Sequence, residues 1–195
     1  MEPKKIKEAI DEMLRFKKVF DKIDERIPKK MIGELGEFYV LRELHRKGFN
    51  NLKLKGGKSG FDIYLEDNEK KIEVRTSLLK NENLYPNGIN FFGWRVKNRN
   101  QKRDCKFDIM VGVTIDETFK KPKFYIFTYE EAFLVDDVHM KRFPNVQKKI
   151  HLFENKEAYR KAKESKPEYV TNYERYINEN YREFLNKWSK IKIRT

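Results

Sequence analysis

Ser59-Gly60-Phe61-Asp62-Ile63-Tyr64-Leu65, followed after a short polar run by Lys71-Ile72-Glu73-Val74-Arg75-Thr76-Ser77, is the stretch on which the reading of this chain turns. Both halves read as strands. The polar run 66–70 between them predicts the turn of a hairpin. An aspartate opens the first strand and a glutamate lies within the second. Neighbouring antiparallel strands can bring two such carboxylates within reach of one ion. Asp62 and Glu73 are therefore candidate oxygen ligands for Mg²⁺, a hard cation that takes few carboxylates and keeps several waters. Arg75 follows Glu73 by two residues and so shares its sheet face. A cation there can hold a phosphate and offset charge that builds up in a transition state.

Outward from this stretch the periodicity changes. Upstream, Ile6, Ile10, Met13, Leu14, Phe20, Ile23 and Ile27 recur at helical spacing and predict a helix over 3–26, closed by Pro28. A second helix is predicted over 29–47, with Ile32, Leu35, Phe38, Leu41 and Leu44 on one side and Gly48 as its stop. Residues 51–55 suit a short strand, and Gly56, Gly57, Ser59 and Gly60 a turn. Downstream, 106–114 carries Phe107, Ile109, Met110, Val111 and Val113 and predicts a buried central strand. Another strand is predicted over 124–127, then a short helix opened by Thr128-Tyr129-Glu130-Glu131, a capping box. Residues 89–96 are a weaker strand candidate. Val170, Tyr173, Ile177, Tyr181, Phe184, Leu185 and Trp188 predict a long amphipathic helix over 167–191. The expected class is α/β, a mixed and mostly antiparallel sheet flanked by helices. The expected division is an N-terminal helical addition at 1–28, a core at 29–135 and a C-terminal helical extension at 136–195 packed on that core.

Composition narrows the function. The chain has 195 residues with a formal net charge of +13, and 14% of its residues are aromatic, which argues for a folded protein with a polyanionic partner. A single cysteine, Cys105, allows neither an internal disulfide nor a cysteine cluster for zinc. His45, His139 and His151 lie far apart and lack metal-ligand spacing. No apolar run suits a membrane span or a signal core, so a cytoplasmic protein is the expectation.

Asp62 followed by Glu73-Val74-Arg75 resembles the PD-(D/E)xK nuclease superfamily. Gly33-Glu34-Leu35-Gly36-Glu37, then Val40, Leu44 and Gly48-Phe49, is similar to the N-terminal helix of archaeal Holliday-junction resolvases and Mrr-type restriction nucleases. The strands at 107–113 and 124–128 also match the order of a restriction-endonuclease-like core. The resemblance covers about half the chain, 31–128. It implies a metal-dependent deoxyribonuclease in which Asp62, Glu73 and the Val74 carbonyl hold Mg²⁺, with Mn²⁺ as a substitute. Glu37 would join them from the helix, with Glu34, one turn earlier, as its reserve. Two positions depart from the family pattern: Phe61 stands before Asp62 where proline is common, and Arg75 stands where lysine is usual. Arginine can steady phosphate charge but cannot give up a proton to activate water. Lys58, Lys71 and Lys80 are near in sequence and could contribute.

The segment after Arg75 is rich in Lys, Arg and Asn, residue types that meet base edges and phosphates alike. Lys58, Lys80, Asn83, Arg95, Lys97, Arg99, Lys102 and Arg103 are the candidate DNA contacts. The resemblance and the chain's size imply a homodimer that cuts double-stranded DNA at a short sequence, like a type II restriction enzyme. Such an enzyme works beside a cognate DNA methyltransferase, whose existence the sequence does not show. Two rivals remain: a structure-specific repair or junction-resolving nuclease, and a DNA-binding module on the same fold that no longer cuts.

Overall fold

The computed structural model describes residues 1–23, 27–55, 60–78, 88–95, 107–134, 147–153, 157, 160, 161, 164 and 181–191. Its main sheet has five strands: β1 (Leu52–Leu54), β2 (Ile63–Leu65), β3 (Lys70–Leu78), β5 (Ile109–Ile115) and β6 (Lys123–Thr128), in the order β1-β2-β3-β5-β6. β1 to β3 form an antiparallel meander, β3 and β5 run parallel, and β5 and β6 are antiparallel. The hairpin read from the sequence is thus β2–β3, with Ile63 opposite Ile72. Every residue of β5 is buried, Thr114 included, as its mostly apolar run requires of a strand covered on both faces. A second, two-stranded antiparallel sheet pairs β4 (Gly88–Arg95) with β7 (Gln147–Phe153). β4 fits the weaker strand candidate. β7 lies where the sequence reading expected helix.

Two helices cover one face of the main sheet. α1 (Pro3–Lys22) starts with proline in its first turn, where the missing N–H costs nothing, and buries Ile6 and Ile10. α2 (Lys29–Arg46) lies between α1 and the sheet, and its buried residues Leu35, Tyr39, Val40, Leu41 and Leu44 spread around the helix. Its end is a Schellman stop. Gly48 has φ +91, its N–H reaches the His45 carbonyl at 3.0 Å, and the Phe49 N–H reaches the Leu44 carbonyl at 3.1 Å. The far end of the layer is tied down by the Tyr39 hydroxyl, which donates to the carbonyl of Phe119 in the β5–β6 turn. On the other sheet face Phe107, Met110, Tyr125, Phe127 and Ala132 form a smaller core under α3 (Tyr129–Leu134). The capping box at its start is made as read: Thr128 N–H to Glu131 Oε2 at 2.8 Å, and Glu131 N–H to Thr128 Oγ1 at 3.2 Å.

The predicted C-terminal helix does not extend over 181–191; its earlier part, 167–180, lies outside the described residues. Two short 3₁₀ turns, Tyr181–Glu183 and Trp188–Lys190, flank a bridge of Leu185 to Tyr125 on β6. The Ile126 N–H donates to the Phe184 carbonyl and the Asn186 N–H to the Phe124 carbonyl, both at 2.8 Å. The reason is the open edge of β6, whose peptide groups need partners. Phe184 and Leu185 pack into the smaller core while Trp188 and Ile191 enter the larger one. A chain that wraps a sheet edge to reach both faces cannot keep those residues on one helical stripe.

α2 approaches β3 closely at Gly36. A Cβ there would lie 1.9 Å from Thr76 Oγ1 and 3.0 Å from its Cβ. Threonine is stiff at χ1 and cannot swing clear. Gly36→Ala is expected to cost about 1–3 kcal/mol in chemical denaturation. Thr76→Ala in the same chain should return most of that loss, and a strictly additive double-mutant cycle would show that the two residues do not meet.

Candidate active site

Gly60, at φ +76, leads Asp62 onto the sheet just before β2 begins. Its N–H donates to the Ile72 carbonyl at 2.9 Å, which ends the β2–β3 ladder. Its carboxylate then takes the next free donor of β3: Oδ2 accepts the Val74 N–H at 2.7 Å. Beyond this point β2 and β3 part, and β3 continues on its parallel pairing with β5, Glu73 opposite Met110 and Arg75 opposite Gly112. Ile72 and Val74 point into the large core, so period-two alternation turns Glu73 and Arg75 to the other face. Glu73 is 6% exposed, and its Oε1 forms an ion pair with Arg75. From the helical layer, Glu37 on α2 shares a groove with Asp62. One loop, one strand and one helix thus supply three carboxylates and one guanidinium.

These groups feel one another. The Glu73 carboxyl is pushed up to about 7, first by burial and then by repulsion from Asp62 and Glu37, against the pull of Arg75. Glu37 is also pushed up to about 7, by burial, by Asp62 and by Glu34, again opposed by Arg75. Burial raises Asp62, while the Val74 N–H and Arg75 pull it down. Glu34 bears on the site through its charge on Glu37, while the Asp62 charge raises Glu37 and the Glu37 charge raises Glu73.

The donor chemistry suits a hard divalent cation: buried carboxylates that repel each other when ionised are relieved by positive charge between them. Yet among the described residues no group of three or more His, Cys, Asp or Glu is arranged to hold a metal ion. The hydrogen bonds say why. Glu73 is turned to Arg75 and Asp62 to the Val74 amide, so cation binding competes with partners already made.

Asp62 and Glu37 border a groove of about 1110 Å³ between α1, α2 and the end of β1. Phe16 and Phe38 give it an apolar wall, and Lys30 and Lys55 its positive charge. Lys55 was not among the candidates read from the sequence. Its signal there was only its place before Gly56-Gly57, and its nearness to Asp62 comes from the β1–β2 pairing: the Lys55 N–H donates to the Asp62 carbonyl at 2.7 Å. Lys71, one of the proposed substitutes, lies over the ring of Phe61, 5.9 Å from its centroid. Of the candidate DNA contacts, Arg95 ends β4 opposite Gln147. Lys58, Lys80, Asn83, Lys97, Arg99, Lys102 and Arg103 lie outside the described residues. Among the described residues no helix is long and apolar enough to cross a membrane.

The raised carboxyls predict an inverse dependence of stability on pH. Burial and the neighbouring carboxylates push Glu73 up to about 7 in the folded chain, above its ordinary 4.5, so between those values the folded chain holds the extra proton. Stability must then fall as pH rises through that window, and stay low above it. In EDTA, the Tm of the wild type relative to Glu73→Gln should drop between pH 5 and pH 8, by roughly 3 kcal/mol in unfolding free energy. Addition of Mg²⁺ at pH 8 should narrow the gap by stabilising the wild type alone. A difference that does not change with pH would show that Glu73 keeps an ordinary carboxyl.

No family model matches the sequence, and no curated protein matches it. Among solved structures, the chain is similar to the bacterial homing endonuclease I-Ssp6803I, at 17% sequence identity and a TM-score of 0.41, over 67% of this chain and 78% of that one. A superposition of that quality fixes neither a fold family nor a chemistry.

Proposed function

We propose that the chain is a metal-dependent endonuclease that hydrolyses phosphodiester bonds of double-stranded DNA. The observation that carries this reading is the carboxylate of Asp62 held by the Val74 N–H at 2.7 Å, between the buried Glu73 and its ion-pair partner Arg75 on β3. A net charge of +13 supplies the long-range attraction for a polyanion.

Asp62 and Glu73, with the Val74 carbonyl, are the residues that would hold Mg²⁺ or Mn²⁺. When bound, the ion supplies Lewis-acid activation of water at neutral pH and charge relief at the phosphate. The other roles belong to side chains. Glu37 has a carboxyl near 7, suited to orienting the attacking water and taking its proton at physiological pH. Arg75 holds a non-bridging phosphate oxygen and offsets charge in the transition state. It stays protonated throughout, so proton transfer falls to Glu37 rather than to the residue two beyond Glu73. Release of Glu73 from Arg75 would let one residue turn to the cation and the other to the phosphate. Binding of cation and DNA is then coupled through that ion pair.

The finer reading is a sequence-specific, type II-like restriction endonuclease acting as a homodimer. It rests on the chain beyond the core, which exceeds what strand cleavage alone needs, and on the symmetry of a duplex cut in both strands. The Glu73–Arg75 ion pair and the lack, among the described residues, of a ready three-carboxylate cage favour one rival, a DNA-binding module on this architecture that does not cut.

The test is incubation of supercoiled plasmid, long linear DNA and a four-way junction with Mg²⁺ against EDTA. Discrete fragments in Mg²⁺ would support the restriction reading, and cleavage of the junction alone a structure-specific nuclease. Asp62→Ala and Glu73→Ala should each lower the rate by roughly a thousandfold or more, and Arg75→Ala by roughly a hundredfold, with Arg75→Lys losing less. Retained salt-sensitive DNA binding with no product in Mg²⁺ or Mn²⁺ would leave the non-cutting module.

A further inference from the structure

The proposed function leaves a gap at the groove. A phosphate must come close to Asp62, yet the acids lining the groove, Glu12, Glu34, Glu37 and Asp62, outnumber its bases, Lys30 and Lys55. Arg75 is engaged with Glu73, which is buried on the other sheet face. Lys30 is engaged with Glu34 at 3.7 Å. Lys55 is different. It is exposed, borders the groove, and makes no ion pair among the described residues. Its backbone is clamped to that of Asp62 by the 2.7 Å hydrogen bond, so its side chain starts beside the carboxylate rather than on an independent loop.

We propose that Lys55 is the residue that grips the substrate at this groove, its ammonium binding a phosphate of the DNA strand that passes Asp62 and Glu37. The inference rests on the nuclease reading and extends it by adding, at the groove on the helical side, a second phosphate contact to the one proposed for Arg75. A compact ammonium suits the task, since it neutralises one phosphate without demanding a fixed bidentate geometry. Phe16 and Phe38 on the apolar wall give the sugar and base of the same nucleotide a dry surface to lie against. Lys53, two residues earlier on β1, is the natural control. It carries the same charge but pairs with Glu66 and does not line the groove.

The experiment measures binding of a fluorescent DNA duplex in Ca²⁺ over a range of salt concentrations, and cleavage of plasmid in Mg²⁺ at limiting enzyme. The proteins are wild type, Lys55→Ala, Lys55→Arg and Lys53→Ala. Loss of one phosphate contact should weaken binding by Lys55→Ala roughly tenfold and reduce the slope of log affinity against log salt by about 0.9. Cleavage should slow in parallel. Lys55→Arg should keep the wild-type slope, and Lys53→Ala should match wild type in both assays, with all four proteins melting alike. A wild type that cuts while Lys55→Ala behaves like Lys53→Ala overturns this inference and leaves the nuclease reading intact. A wild type that neither binds nor cuts DNA overturns both.

Discussion

The hydrogen bond from the Val74 N–H to the Asp62 carboxylate is the contact around which the site is built. It exists because two strands part. While β2 and β3 remain paired, their peptide groups satisfy each other, and the last such bond is that of Asp62 to Ile72. One step further the N–H of β3 has no strand partner on that side, and a buried orphan donor is costly. A carboxylate placed there satisfies the donor and is itself held in one orientation. The same divergence opens the space into which Glu37 reaches from the helical layer. Satisfaction of the backbone and placement of the acids are thus one event.

Holding those acids together works against stability. Glu37 and Glu73 are each raised to about 7, which means that their charged forms are disfavoured by burial and by neighbouring carboxylates. Such concentrated like charge in a partly buried place is more often a mark of chemistry than of structural need, although ion-pair networks can perturb carboxyls as well. Among the described residues Arg75 is the compensating cation within the cluster, and its pairing with Glu73 gives the site a resting arrangement. A large hydrophobic cluster on one face of the sheet and a smaller one on the other provide the rigid support that holds the strands in place. The close contact of Gly36 with Thr76 has the same function, because it sets how near α2, and with it Glu37, can come to β3.

Much of the architecture was legible before any coordinates. The hairpin, the buried run 109–115, the capping box at Thr128 and the Gly48 stop all follow from local rules that depend on residues within one turn or one strand. Asp62, Glu73 and Glu37 were legible as candidates, because their order along the chain matches a recognised pattern. What failed did so where a distant partner decided the conformation. The apolar residues at 184, 185, 188 and 191 have spacing that a helix would accept, and the edge of β6 claimed them instead. β7 went unread because its partner, β4, lies more than fifty residues upstream.

By itself, then, the sequence determined which elements form and which residues could carry the chemistry, since hydrophobic period, capping and charge are properties of short segments. It could not determine which of those residues meet. That Glu37 rather than Glu34 shares a field with both strand carboxylates depends on the rotation of α2 against the sheet. That Glu73 turns to Arg75, and Asp62 to a peptide N–H, depends on where two strands separate. That Lys55 stands beside Asp62 depends on a register seven residues long in the chain and one hydrogen bond wide in space. These are consequences of packing and long-range pairing, and tertiary structure alone decides them.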